Sequence, residues 1–148
     1  MKSINFQLDF SNRAIAQKQV LMLLEALINM NRFYLINHPN TPKIYEADVS
    51  YISQGGSEDW FDIGEALKQG GGDCKILTAW RIAELRERNK LGWKSVRPFI
   101  KWKTNADRSF YLYHALVLHS ALIGGQKVHR LEDPSKILGM DEVLAGNK

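Results

Sequence analysis

Cysteine is almost absent from this chain: Cys74 is the only one in 148 residues. A lone cysteine excludes an internal disulfide framework and the multi-cysteine zinc sites. Proline is scarce, and long apolar runs are missing. The longest, Val20 to Met30, is interrupted by Glu25 and Asn29 and falls well short of the roughly 20 apolar residues that span a bilayer. No basic-then-apolar leader opens the sequence, so the expected setting is a reducing cytoplasm, that of a bacterium or of a phage-infected host cell. Strong charge of one sign is lacking too. The net charge of +4 comes from cations interleaved with acids such as Glu84, Glu87 and Asp107, which describes a mildly basic solvated surface. Nucleic acid is therefore the weakest partner reading, with Lys94, Arg97, Lys101, Lys103 and Arg108 as its contacts. There is no acidic calcium loop, and Gly70 to Gly72 lacks the Lys-Ser/Thr of a phosphate-binding loop. Neither a metal nor a cofactor is expected.

What is present is enough apolar material, 45% of the chain, for one domain with a real core over residues 1–148. Residues 1–43 read as an N-terminal arm and helix, and residues 44–140 as the core that carries the chemistry. Ser11 or Asn12 can cap a helix from about Arg13 to Met30 or a little beyond, apolar over much of its circumference and so expected to be well buried. Ile44 to Gln54 alternates like a strand, and Gly55-Gly56-Ser57 marks a turn. Asp62, with Glu65 three positions later, starts a short helix that stops before Gly70. Lys75 to Arg88 is helical, with apolar positions wide enough to meet a sheet on one side and a second helix on another. Ser95 to Lys103, Phe110 to Leu122 and Lys127 to Glu132 alternate as strands of an antiparallel sheet, joined by turns at Asn105-Ala106-Asp107 and Gly124-Gly125-Gln126. A short helix around Asp141 to Leu144 closes the chain. The expected class is α+β.

Cys74 follows Gly70-Gly71-Gly72-Asp73 and opens a helix. Glycines permit a tight approach, Asp73 can cap the orphan amides, and a helix N-terminus favours negative charge on sulfur. On those grounds the thiol should titrate well below the roughly 8.5 of a free cysteine. A thiol nucleophile needs a base, and the base needs an orienting group. Among His38, His114, His119 and His129, period two sets His114 with Leu112, Leu116 and Leu118 on one strand face and His119 on the other. Asp133 ends the next strand before Pro134, where adjacent antiparallel strands can present it beside His114. Gln54 and Trp60 are the candidate oxyanion donors, and Trp60 equally suits packing under the cysteine helix. Trp80, Trp93 and Trp102 are assigned to core or groove walls. Each residue also has a plain structural role open to it: a buried small hydrophobe, a satisfied histidine, an Asp-Pro turn. Their order along the chain is what argues for chemistry.

Gly70-Gly71-Gly72-Asp73-Cys74, Ala79-Trp80-Arg81-Ile82-Ala83-Glu84-Leu85-Arg86, Tyr113-His114-Ala115-Leu116-Val117 and Glu132 to Met140 together resemble the transglutaminase-like branch of the papain-like cysteine enzymes. The resemblance is to small stand-alone members often encoded by bacteriophages and prophages, and it covers roughly residues 44–140. It implies a papain-like core, with a nucleophile-bearing helix on an antiparallel sheet, an additional N-terminal helix and a Cys-His-Asp triad at Cys74, His114 and Asp133. It implies thiol-dependent acyl transfer or hydrolysis at a protein carboxamide or peptide bond, of transglutaminase, deamidase or protease type. Substrates would be proteins or peptides, phage structural proteins among them, with no membrane partner. Many relatives carry an acidic pair directly after the cysteine, where this chain has Lys75 and Ile76. The alternative is a catalytically silent binding or assembly module.

Overall fold

Asn12 sets where the first helix begins. Its backbone is extended, and its side-chain oxygen accepts from the amides of Ala14 and Ile15 at 2.9 and 3.2 Å, which satisfies two orphan donors of α1 (Arg13–Asn37). The helix runs almost two turns past Met30 and stops at His38, where Pro39 follows and excludes continuation. Val20, Leu24, Leu27, Ile28, Asn31 and Leu35 form its buried stripe. Met22 and Phe33 are 72% and 68% exposed, so the helix is buried along one face rather than around its circumference. Among the described residues, the helix over Cys74–Arg88 and the strand over Val96–Thr104 pack against it on that side.

The computed structural model describes residues 7–54, 58–104 and 111–141. The expected turns at Gly55-Gly56-Ser57 and Asn105-Ala106-Asp107 and the helix beyond Asp141 lie outside these residues, as do Phe110 and Arg108. Ile44 to Gln54 is not a full strand. A 3-10 turn occupies Ile44–Glu46, Asp48 takes a left-handed φ of 56°, and only β1 (Ser50–Tyr51) pairs. The alternation is broken because Glu84 captures the Ile44 amide at 2.9 Å and bends the chain over the central helix.

Helix α2 (Ile63–Gln69) begins at Asp62, which accepts from the Glu65 amide at 3.0 Å, and ends at left-handed Gly70. The glycines after it form β2 (Gly71–Gly72), parallel to β1. A Cβ on Gly71 would sit 1.8 Å from the Ser50 carbonyl oxygen, and its φ of 146° disfavours any other residue. The run of glycines therefore serves strand contact as much as the thiol that follows.

Helix α3 (Cys74–Arg88) is central. Trp80, Leu77, Ile76 and Ile82 are completely or almost completely buried, each such side chain contributing about 1.5–3 kcal/mol when removed from water. One side meets α1, where Arg86 makes a fork to Glu25 at 2.8 and 3.1 Å. The other meets a three-stranded antiparallel sheet, β3 (Val96–Thr104), β4 (Tyr111–Ile123) and β5 (Gln126–Glu132), in that spatial order. Gly124 and Gly125, both with positive φ, close the β4–β5 hairpin, as a two-residue turn requires. The core receives Val96, Ile100, Ala115 and Val117 from one sheet face. The opposite face carries Phe99, Leu112 and Leu131, all exposed. Asp133 and Pro134 start α4 (Pro134–Ile137) rather than a bare turn. Among the described residues no helix is long and apolar enough to cross a membrane.

Candidate active site

Cys74 is the first residue of α3 and Asp73 its cap position, yet the Asp73 side chain makes no capping bond. Its carboxylate turns to the Lys75 ammonium, leaving the other oxygen buried with no hydrogen-bond partner among the described residues. Lys75 is 1% exposed. Its Nζ is held between Asp73 and Glu58, the latter at 3.7 Å, reaches the Gln54 side-chain oxygen at 3.5 Å, and lies 5.5 Å from the centre of the Trp60 ring. A buried ammonium persists only where charge partners offset its lost hydration, and two carboxylates do so here. Tyr113 closes the cluster by donating to Glu58 at 3.0 Å.

The ends of two elements bring the thiol to the histidine strand. Strand β5 stops at Glu132, opposite Val117, so the next stretch of the β4 edge is free of strand partners on that side. The start of α3 takes this place. Thr78 Oγ1 donates to the Ala115 carbonyl at 3.0 Å, and the Ala115 amide faces Cys74 closely enough to favour its ionised form. The residue before Ala115 is His114, buried at 8% exposure. Its Nε2 lies 2.9 Å from Asp133 Oδ2, while Asp133 Oδ1 accepts the Lys136 amide at 3.2 Å. Capping α4 thus fixes the carboxylate that faces the ring. With Nε2 engaged, Nδ1 is the ring nitrogen left for a proton from sulfur. Among the described residues no hydrogen bond joins the thiol to the imidazole directly; their link is the shared position at Ala115.

The electrostatics of the thiol run against the sequence expectation. Burial first, and then the Asp73 carboxylate, push Cys74 up to about 12, while the Ala115 amide and Lys75 only partly counter them. The helix terminus does not produce a resting thiolate, because desolvation and an adjacent carboxylate both favour the neutral form. Asp133 goes the other way. Burial raises it, but the bond to His114, the charge of that ring and the Lys136 and Ser135 amides outweigh burial and hold it below the ordinary carboxylate range.

Of the oxyanion candidates, Gln54 uses its carbonyl oxygen on the Asp59 amide at 2.9 Å and on Lys75. Trp60 packs against the core and faces Lys75. Both therefore border the cluster beside the thiol. The remaining histidines are elsewhere: His38 stacks on Tyr34, and His129 bonds Ser120 at 2.8 Å. His119 meets Glu132 at 2.9 Å. That last pair belongs to a network absent from the sequence reading. Glu132 also accepts from Tyr45 and from Arg81, the latter at 2.7 Å, and Arg81 bonds Glu84 at 2.9 Å. The available signal was parity: His114 and His119, five positions apart, face opposite sides of one strand, as do the adjacent Glu132 and Asp133. Trp80 is core, Trp102 packs edge-on to Phe10 and Tyr113, and Trp93 is 63% exposed beside Lys90. Among the described residues no cluster of His, Cys, Asp or Glu is placed to hold a metal ion.

No protein-family model, curated protein or solved structure matches this chain.

Proposed function

We propose that the protein is a thiol-dependent acyl-transfer or hydrolytic enzyme of transglutaminase-like type, acting on a carboxamide or peptide bond through Cys74, His114 and Asp133. The observation that supports it is the abutment of the Cys74 sulfur on the Ala115 amide, next to an imidazole whose far nitrogen is held by a carboxylate at 2.9 Å. Because the thiol rests protonated, the reaction starts by general-base attack rather than from a stored ion pair. His114 Nδ1 takes the sulfur proton as the S–C bond forms. The Ala115 amide and Lys75 lower the cost of negative charge on the sulfur as its proton leaves, and the Cys74 backbone amide receives the carbonyl oxyanion. The C–N bond then breaks, the imidazolium gives its proton to the departing ammonia or amine, and a thioester remains. Water or a primary amine attacks that thioester, loses its proton to His114, and regenerates the thiol. Asp133 keeps the ring in the tautomer that presents Nδ1.

The test is ammonia release and hydroxamate formation from a blocked Gln-Gly dipeptide, with and without hydroxylamine, alongside cleavage of an unfolded protein. Turnover lost in Cys74→Ala and in His114→Ala supports the reading. A second reading, the catalytically silent binding or assembly module, is favoured by the neutral thiol and by the lysine locked beside it. It is the conclusion if no thioester is trapped and no product forms.

A further inference from the structure

The sheet face that points away from α3 carries a groove separate from the thiol. It has a volume of about 540 Å³ and is lined by Arg97, Phe99, Leu118, His129, Arg130 and Leu131. Three of these are basic, three are apolar, and among the described residues no carboxylate lines it. The registers Arg97↔Leu118 and Leu118↔Leu131 make its floor continuous across all three strands. Phe99 and Leu131 remain 39% and 49% exposed. The same face continues along β4 through Leu116 to His114, whose cross-strand partner is Lys101, and on to Lys103 opposite Leu112. Four residues separate Leu118 from His114, roughly 13 Å along a strand.

We infer that this groove is the docking site for an extended, acidic and apolar segment of a protein substrate; the inference rests on the acyl-transfer reading for what that substrate then undergoes. Charge complementarity selects the occupant: Asp or Glu side chains meet Arg97 and, further along the same face, Lys101 and Lys103, and apolar side chains between them cover Phe99, Leu118 and Leu131. A floor of leucines with one phenylalanine gives bases little to stack on, which argues for peptide over nucleic acid.

The test uses the full chain as Cys74→Ala, so that binding is read without turnover. An array of 15-residue peptides of varied composition is probed, with a single-stranded 15-nucleotide DNA as comparison and light-scattering mass as a monitor of self-association. The expected result is selective retention of peptides rich in Asp or Glu together with Leu, Ile or Phe. Binding of the best of these should weaken at least tenfold in Arg97→Glu/Lys101→Glu and in high salt, and should survive in Arg97→Lys/Lys101→Arg. Circular dichroism verifies that each variant is folded. Retention without acidic bias, no retention, or binding unchanged by charge reversal overturns the inference. So does preferential DNA binding, or a dimer that the reversal dissolves. Retained peptide binding with a wild-type chain that forms no thioester overturns the acyl-transfer reading alone, while active wild-type chain without peptide selectivity overturns the groove alone.

Discussion

Two histidine–carboxylate pairs stand back to back at the end of the sheet, with the same 2.9 Å separation and different surroundings. His119 and Glu132 belong to the face that packs on α3, where Arg81 and Tyr45 also bond the carboxylate. His114 and Asp133 belong to the other face, where, among the described residues, the carboxylate is otherwise bonded by amides that start α4. Glu132 is therefore saturated by charged and hydroxyl partners, and burial, which alone would raise it, is outweighed by them. His114 keeps one ring nitrogen for the neighbouring sulfur. A histidine beside an acid is not a site in itself; what the second nitrogen and the second oxygen meet decides between a fastening and a relay.

Separating activity from stability breaks this comparison most strongly. Cys74→Ala and His114→Ala should each lower turnover at least about 10³-fold with little change in the urea midpoint. Asp133→Asn should also lower turnover sharply, by favouring the wrong tautomer. His119→Ala should reverse the pattern, keeping turnover per folded molecule while lowering the midpoint. If His114→Ala unfolds the chain and His119→Ala silences it, the two roles are exchanged.

Next in size is the cost of removing a cation from the saturated pair. Arg81→Met leaves Glu132, 7% exposed, with its main charge partner gone, and should destabilise by on the order of 3 kcal/mol in urea denaturation. The same experiment on Asp133→Asn should cost about 1 kcal/mol, because amides rather than a guanidinium hold that group.

Thiol titration sharpens the reading of the open pair. Iodoacetamide should label Cys74 slowly at neutral pH, with a rate that climbs toward about 12, whereas the urea-unfolded chain titrates near 8.5. Since the folded value is raised, the stability gained by keeping sulfur neutral is complete below about 8.5 and is lost as pH rises through the folded value. Asp73→Asn should move the labelling profile down, and Lys75→Met should move it up. A profile centred below 8.5 in the native chain would contradict the desolvated thiol described here.

The smallest expected effect is in acid. Both carboxylates are held below their ordinary range, so their contribution is present above about pH 4 and is lost as pH falls through the folded values. Glu132→Gln should flatten the acid limb of the stability curve more than Asp133→Asn does, as read by urea midpoints from pH 6 to pH 2.

The sequence alone determined α1 to α3, the three antiparallel strands and the order of the candidate residues, but read the start of α4 as a turn. These follow from local rules: Asn12 and Asp62 cap helices because their side chains reach the next turn, and β3 and β4 alternate because each buries one face. Ile44 to Gln54 failed those rules because a distant residue, Glu84, takes the amide that a strand would have used. Gly71 was legible as a tight approach, but only the fold shows that the approach is to Ser50. The state of the thiol and the two fates of the histidines were decided by tertiary structure. A helix terminus draws charge onto sulfur over one turn, yet its burial against β4 comes from a segment far along the chain, and desolvation outweighs a dipole wherever water is removed.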